Sequence, residues 1–271
     1  MTKKKLIVGG DSWTDPNFKS NIDLTHIKDY NSWPEILNEL FGNKYDIVNT
    51  ACSGYGNDYI ISQTIKAVSE NVDEVGLVVL TLSEYSRFNV GNHRKCFPYE
   101  LFKIISKLNS GESIESINSN ELSQYVYEMF SSTNDNEQAV SIAVTSLLSR
   151  IITFQTYCEK YSIPYIIVPF LDQFEIIIRR FLSTSAKLKN VWTPKNIAKH
   201  MTNNDLFYMI DDEKIIGWPF VDTLGGFVID EILTEDLRIG NGDFHPGKSG
   251  HKKIAEMIYE FCKEKEINCY R

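Results

Sequence analysis

Residues Val75 to Leu82 form an eight-residue run that is almost wholly apolar. Such a run suits a strand covered on both faces, and strands of that kind belong to parallel sheets with helices on either side. The flanking segments agree. Lys5 to Gly10 reads as an earlier buried strand and Asp46 to Ala51 as a second strand. Between them Trp33, Ile36, Leu37, Leu40 and Phe41 recur at helical spacing, with Ser32 as N-cap, Pro34 in the first turn and a stop at Gly42. Asn57 to Glu70 reads as a second helix, with Ile61, Ile65 and Val68 on one face. Strand and helix in alternation predict a parallel sheet packed by helices on both sides.

The alternation pauses after the third strand. Residues 84 to 136 hold no strong strand, and Ser106 to Ser123 is rich in Ser, Asn and Glu. This stretch reads as a largely helical insertion, either a surface excursion or a lid beside the site. Val140, Val144, Leu147, Ile151, Phe154 and Cys158 then mark a long amphipathic helix, and Tyr165 to Phe170 a fourth strand. A helical stretch is expected near Phe174 to Lys189. A final helix from Gly250 carries Ile254, Met257, Ile258, Phe261 and Cys262 on one face. No repeat or Pro/Gly/Ser-rich linker divides the 271 residues, so one domain, 1–271, is the economical organisation.

Charge and composition narrow the function. The net charge is −8, and Lys3 to Lys5 is the sole basic run, which argues against a nucleic-acid binder. No apolar run is long enough for a membrane span, and Leu6 to Gly10 is too short for a signal peptide, so a cytoplasmic protein is expected. Five scattered cysteines without a CxxC predict neither a disulfide framework nor a zinc site; Cys52 and Cys158 read as core. His26, His93 and His200 stand alone, and no metal site is expected. Abundant Ile, Asn and Lys beside scarce Arg and Ala indicate an AT-rich genome, bacterial or viral.

Three segments could carry chemistry. Gly9-Gly10-Asp11-Ser12 follows the first strand, where open parallel sheets bind ligands. Asn49 to Asn57 follows the second; its Gly54 and Gly56 allow close backbone approach, and Asn57 is placed to cap the next helix. Asp243-Phe244-His245-Pro246, with Gly250-His251, precedes the last helix. A serine hydroxyl needs a base, and the base needs an acid to hold its tautomer, which Ser12, His245 and Asp243 could supply together. Taken singly, each segment also reads as an ordinary turn or cap.

Together the three blocks resemble the SGNH/GDSL hydrolase family, through Gly10-Asp11-Ser12, Gly54, and Asp243 with His245. Residues 32 to 57, and His-Pro followed by Gly250-His251, look most like a subgroup common in bacteriophage genomes, which would make the chain virion-associated rather than cytoplasmic. The resemblance implies a three-layer α/β/α, flavodoxin-like sandwich and ester hydrolysis without a cofactor. It implies Ser12 as nucleophile, His245 as base and Asp243 as orienting acid. The backbone N–H groups of Ser12 and Gly54, with an Asn side chain, would form the oxyanion hole. Small acyl esters, including O-acetyl groups on carbohydrate, are the implied substrates.

Two features depart from the family pattern. The third block lacks its oxyanion Asn, since strand three runs into Thr81-Leu82-Ser83-Glu84; Asn57 or Ser83 would have to substitute. Asp243 lies two residues before His245, where three is usual. His251 is an alternative base, or a capping and packing residue of the final helix. Arg87 could bind a substrate carboxylate or phosphate, or form a structural ion pair. Trp192 and Trp218 read as core residues, with sugar stacking as the other option. The alternative to an esterase is a catalytically silent protein of this fold, glycan-binding or virion-structural, that uses the same cleft.

Overall fold

The computed structural model describes residues 3–84, 88–90, 94–96, 136–171 and 193–267. Its centre is a parallel sheet of four strands: β1 (Lys4–Gly9), β2 (Tyr45–Asn49), β3 (Val75–Leu82) and β6 (Tyr165–Pro169), in the order β2-β1-β3-β6. Every residue of β3 is buried, as its apolar run requires.

The side chains of each strand alternate between two cores. Ile7, Val78, Leu80, Leu82, Tyr165 and Ile167 face helices α2 (Asn57–Ser69), α3 (Asn136–Lys160) and α4 (Pro194–Thr202). Leu6, Val8, Leu77, Val79, Ile166 and Val168 face α1 (Trp33–Leu40) and the final helix α6 (Lys248–Glu264). The period-2 geometry of a strand thus fills a core on each side, giving three layers, α/β/α. A short helix, α5 (Ile229–Ile232), packs with the second core.

The chain leaves β1 towards β2 on one side and reaches β3 on the other. The strand order therefore reverses at β1, and a crevice opens beyond the carboxyl ends of β1 and β3. Gly10 leads into it, and no other residue fits there: a Cβ on Gly10 would lie 2.2 Å from Thr81 Oγ1 and 2.5 Å from Thr14 Oγ1.

Several local expectations are corrected. The region after β3 contains a small antiparallel hairpin, β4 (Phe88–Val90) with β5 (Arg94–Cys96), where no strand was expected. Strands of three residues are too short to show a period in sequence. The rest of the 84–136 insertion, its helical character, and the helix expected near 174–189 lie outside the described residues, as do Arg87, His93 and Trp192. The N-cap of α2 is Gly56; Asn57 is its first helical residue. Cys158 is buried in the first core, where burial pushes its thiol up to about 12, whereas Cys52 is partly exposed. Trp218 is half-buried and stacks on Phe207. No described helix is long and apolar enough to cross a membrane.

His251 lies buried between α6 and α1, where its Nδ1 accepts the N–H of Trp33 at 3.3 Å. That N–H is one of the donors a helix start leaves unpaired, so His251 caps α1. Burial, then the charges of Lys28, His245 and His26, push its imidazole down to about 3. The unfolded chain takes up a proton here near pH 6.5, which the native imidazole refuses until about pH 3. The native state therefore binds fewer protons in this window, and stability falls as pH drops through it. By pH 4.5 the loss amounts to about 2–3 kcal/mol. His251→Asn keeps an acceptor for Trp33 and cannot titrate. Urea midpoints of the wild type should fall more steeply from pH 6.5 to 4.5 than those of the variant; parallel curves would contradict this.

Candidate active site

The crevice is lined first by the turn after β1. Thr14 and Asp15 both donate their N–H to Asp11 O, at 3.0 and 2.9 Å, winding residues 11–15 into one helical turn. Asp11 is buried and accepts from the Trp13 N–H at 3.1 Å and the Ser83 hydroxyl at 2.9 Å. Its carboxylate shapes the turn and ties it to the end of β3. Ser12 is thereby left pointing at the loop before α6.

That loop is a tight hairpin of β7 (Arg238–Gly240) and β8 (Asp243–Pro246). Gly240, Asn241 and Gly242 all have positive φ, a left-handed turn that glycine adopts without strain. In a strand, residues i and i+2 share a face. The interval of two between Asp243 and His245 is therefore what an extended β8 needs to aim both side chains the same way. Phe244 points opposite and is exposed.

The result is a continuous relay. His245 Nε2 lies 2.9 Å from Ser12 Oγ, and its Nδ1 lies 2.6 Å from Asp243 Oδ1. Ionised Asp243 can only accept, so the Nδ1 proton faces it and Nε2 is left bare to accept the Ser12 hydroxyl proton. Asp243 Oδ1 also accepts the His245 N–H at 3.0 Å, and Oδ2 accepts the Ser20 hydroxyl. Burial alone would raise the Asp243 carboxyl. The Ser20 hydroxyl and the His245 backbone and ring donors outweigh it, and the carboxyl lies below its ordinary value. Phe18 stacks on the imidazole, centroids 4.1 Å apart.

The turn after β2 is fixed against the Ser12 turn. Asp15 Oδ2 accepts the Ser53 N–H at 2.8 Å and its hydroxyl at 2.6 Å, while Asn49 Nδ2 donates to Thr14 O at 2.9 Å. Gly54, next in the chain, has φ of 81°. Among the described residues, neither the Ser12 nor the Gly54 N–H has a hydrogen-bond acceptor.

Asn57 is buried, and its amide spans the backbone of Ser83, donating to Ser83 O at 3.0 Å and accepting from Ser83 N at 2.8 Å. It clasps the start of α2 to the end of β3. Asn57→Ala should therefore destabilise the fold by about 1–3 kcal/mol through the orphaned Ser83 groups. Denaturant midpoints check this; full stability with reduced turnover would assign Asn57 to the reaction instead.

Ser20, Phe18, Asp15 and the Asp11–Ser83 bond went unread in the sequence. Ser20-Asn21 does read as a turn, but its partner Asp243 lies 223 residues away. Among the described residues, no group of three His, Cys, Asp or Glu side chains is arranged to hold a metal ion.

No protein-family model and no curated protein matches the chain. Solved structures similar to it include the lipase Lip_vut3 from a goat rumen metagenome, at 11% identity and TM-score 0.43, covering 95% of this chain and 97% of that one. Another is TesA, at 11% identity and TM-score 0.44, with 97% and 99% covered. A third is a catalytic mutant of Axe2, an acetylxylan esterase from Geobacillus stearothermophilus, at 12% identity and TM-score 0.41, with 99% and 96% covered.

Proposed function

We propose that the chain is a serine esterase of the SGNH/GDSL type acting on small acyl esters, carbohydrate O-acetyl groups among them. The observation that carries this reading is the relay Ser12–His245–Asp243, at 2.9 and 2.6 Å, built from opposite ends of the chain. A serine held on a bare imidazole nitrogen, itself held by an ionised carboxylate, is equipped for acyl transfer.

In the first step Ser12 Oγ attacks the ester carbonyl carbon and its proton passes to His245 Nε2. The oxyanion of the tetrahedral intermediate faces the N–H groups of Ser12 and Gly54. Collapse breaks the bond to the leaving alkoxide, which takes the proton from His245. Water, deprotonated by His245, then attacks the acyl-Ser12 carbonyl; collapse breaks the bond to Ser12 Oγ, which takes the proton back from His245, and the acid is released. Asp243 stabilises the imidazolium in both halves without taking its proton. The two backbone donors, of Ser12 and Gly54, form the oxyanion site, since Asn57 donates to Ser83 O. One donor fewer costs about 100- to 1000-fold in rate, so a slow enzyme is expected.

The phage-type subgroup and a virion-associated setting rest on the sequence resemblance. Hydrolysis of a chromogenic acetyl ester, and of acetylated xylo-oligosaccharide, tests the reading. Wild type should turn over both, and Ser12→Ala neither. Equal rates for the two proteins would remove Ser12 from the reaction, and a wild type without turnover would favour the silent glycan binder.

A further inference from the structure

We infer that Ser20 is a positioning residue for the Asp243–His245 pair, held to that task by the loop between β1 and α1. The inference rests on the serine-esterase reading for its kinetic part only. Ser20 is buried, and its Oγ accepts two backbone N–H groups, from Ile22 at 3.1 Å and Asp23 at 2.8 Å. A hydroxyl oxygen has two acceptor sites and one proton. With both acceptor sites filled, the hydroxyl can act towards Asp243 Oδ2 only as a donor. The local turn therefore fixes the direction of a bond to a residue at the far end of the chain.

The same loop makes two further contacts with the same hairpin. Phe18 stacks on the His245 ring, centroids 4.1 Å apart and planes 28° apart. Asp23 Oδ2 accepts from Asn241 Nδ2 at 2.8 Å, in the turn that precedes Asp243. The loop thus grips the hairpin at its turn, at its carboxylate and at its imidazole. Asp243 Oδ1 is left to serve His245 alone, because Ser20 holds Oδ2.

Three variants separate this role from simple turn formation. Ser20→Ala loses both the turn acceptor and the donor. Ser20→Thr keeps both. Ser20→Asp keeps the turn, since an Asp side chain accepts the same two N–H groups. It has no proton for Asp243 and sets a second negative charge beside it. The readouts are kcat and KM on an acetyl ester, and the NMR resonance of the His245 Nδ1 proton in the substrate-free protein, with folding checked by circular dichroism. Ser20→Ala should lower kcat by about 10- to 100-fold with KM little changed, as expected for a displaced catalytic group. Its Nδ1 proton resonance should move upfield or broaden. Ser20→Thr should restore both readouts, and Ser20→Asp should restore neither. A Ser20→Ala protein with wild-type kcat and an unmoved resonance overturns the inference, as does restoration by Ser20→Asp. If the wild type hydrolyses no ester, the esterase reading fails by itself, and the Nδ1 resonance in the three variants still decides whether Ser20 positions the pair.

Discussion

Replacing His245 by alanine is expected to lower kcat on an acetyl ester by up to about a million-fold, with KM nearly unchanged, because the base acts in the transition state rather than in substrate binding. The imidazole is the sole group within reach of the Ser12 proton among the described residues, at 2.9 Å. His251 supplies the control. It is buried, committed to Trp33, and held neutral by burial down to about 3. His251→Asn should leave most of the turnover at neutral pH. The opposite pattern, activity surviving in His245→Ala and lost in His251→Asn, would move the base to His251.

Asp243→Asn is expected to lower kcat by about 10,000-fold while the fold survives. The reason lies in the direction of each bond around the carboxylate. Ser20 must donate, because its acceptor sites are filled by Ile22 and Asp23. The His245 backbone N–H must donate as well. An amide at position 243 can offer its oxygen to one of these, and its NH2 group then opposes the other. With the oxygen towards Ser20, the NH2 meets His245 and selects the tautomer protonated on Nε2, which cannot accept from Ser12. With the oxygen towards His245, the NH2 meets a Ser20 oxygen that has no acceptor site left. Near-wild-type kcat in Asp243→Asn, measured alongside unchanged circular dichroism, would show that the carboxylate charge and its bond direction are dispensable.

The sheet was legible because strands β1, β3 and β6 are mostly apolar and buried, β1 over most of its length and β3 and β6 over all of it. β3 is apolar but for Thr81, with helices covering both of its faces, and its bounds match the sequence reading, Val75–Leu82. Helices α1 and α6 showed one-sided periodicity because each packs a single face on the sheet. The antiparallel pair β4 and β5 was not legible, since three-residue strands carry no period. At the site, Ser12, Asp243 and His245 stood out as residue types that make chemistry together. The interval of two between Asp243 and His245 looked like a departure until β8 proved extended, which puts both on one face. The bond of Asn57 to Ser83 was not legible, because a sequence shows an amide near a glycine turn but not the backbone it clasps. Ser20 and Phe18 sit in a loop without periodicity, and their partners lie at the other end of the chain.

A fluorophosphonate probe tests the central claim most directly. An activated serine attacks the phosphorus and expels fluoride, leaving a tetrahedral adduct that resembles the acyl-transfer intermediate; an unactivated serine has no base to take its proton. The described geometry gives Ser12 that base, His245 Nε2 at 2.9 Å. The folded protein should take up one equivalent of probe on Ser12, located by peptide mass mapping. Labelling should vanish in Ser12→Ala and His245→Ala. A folded wild type that takes up no probe under conditions that label an authentic serine esterase, or that carries the label on another serine, would contradict the account.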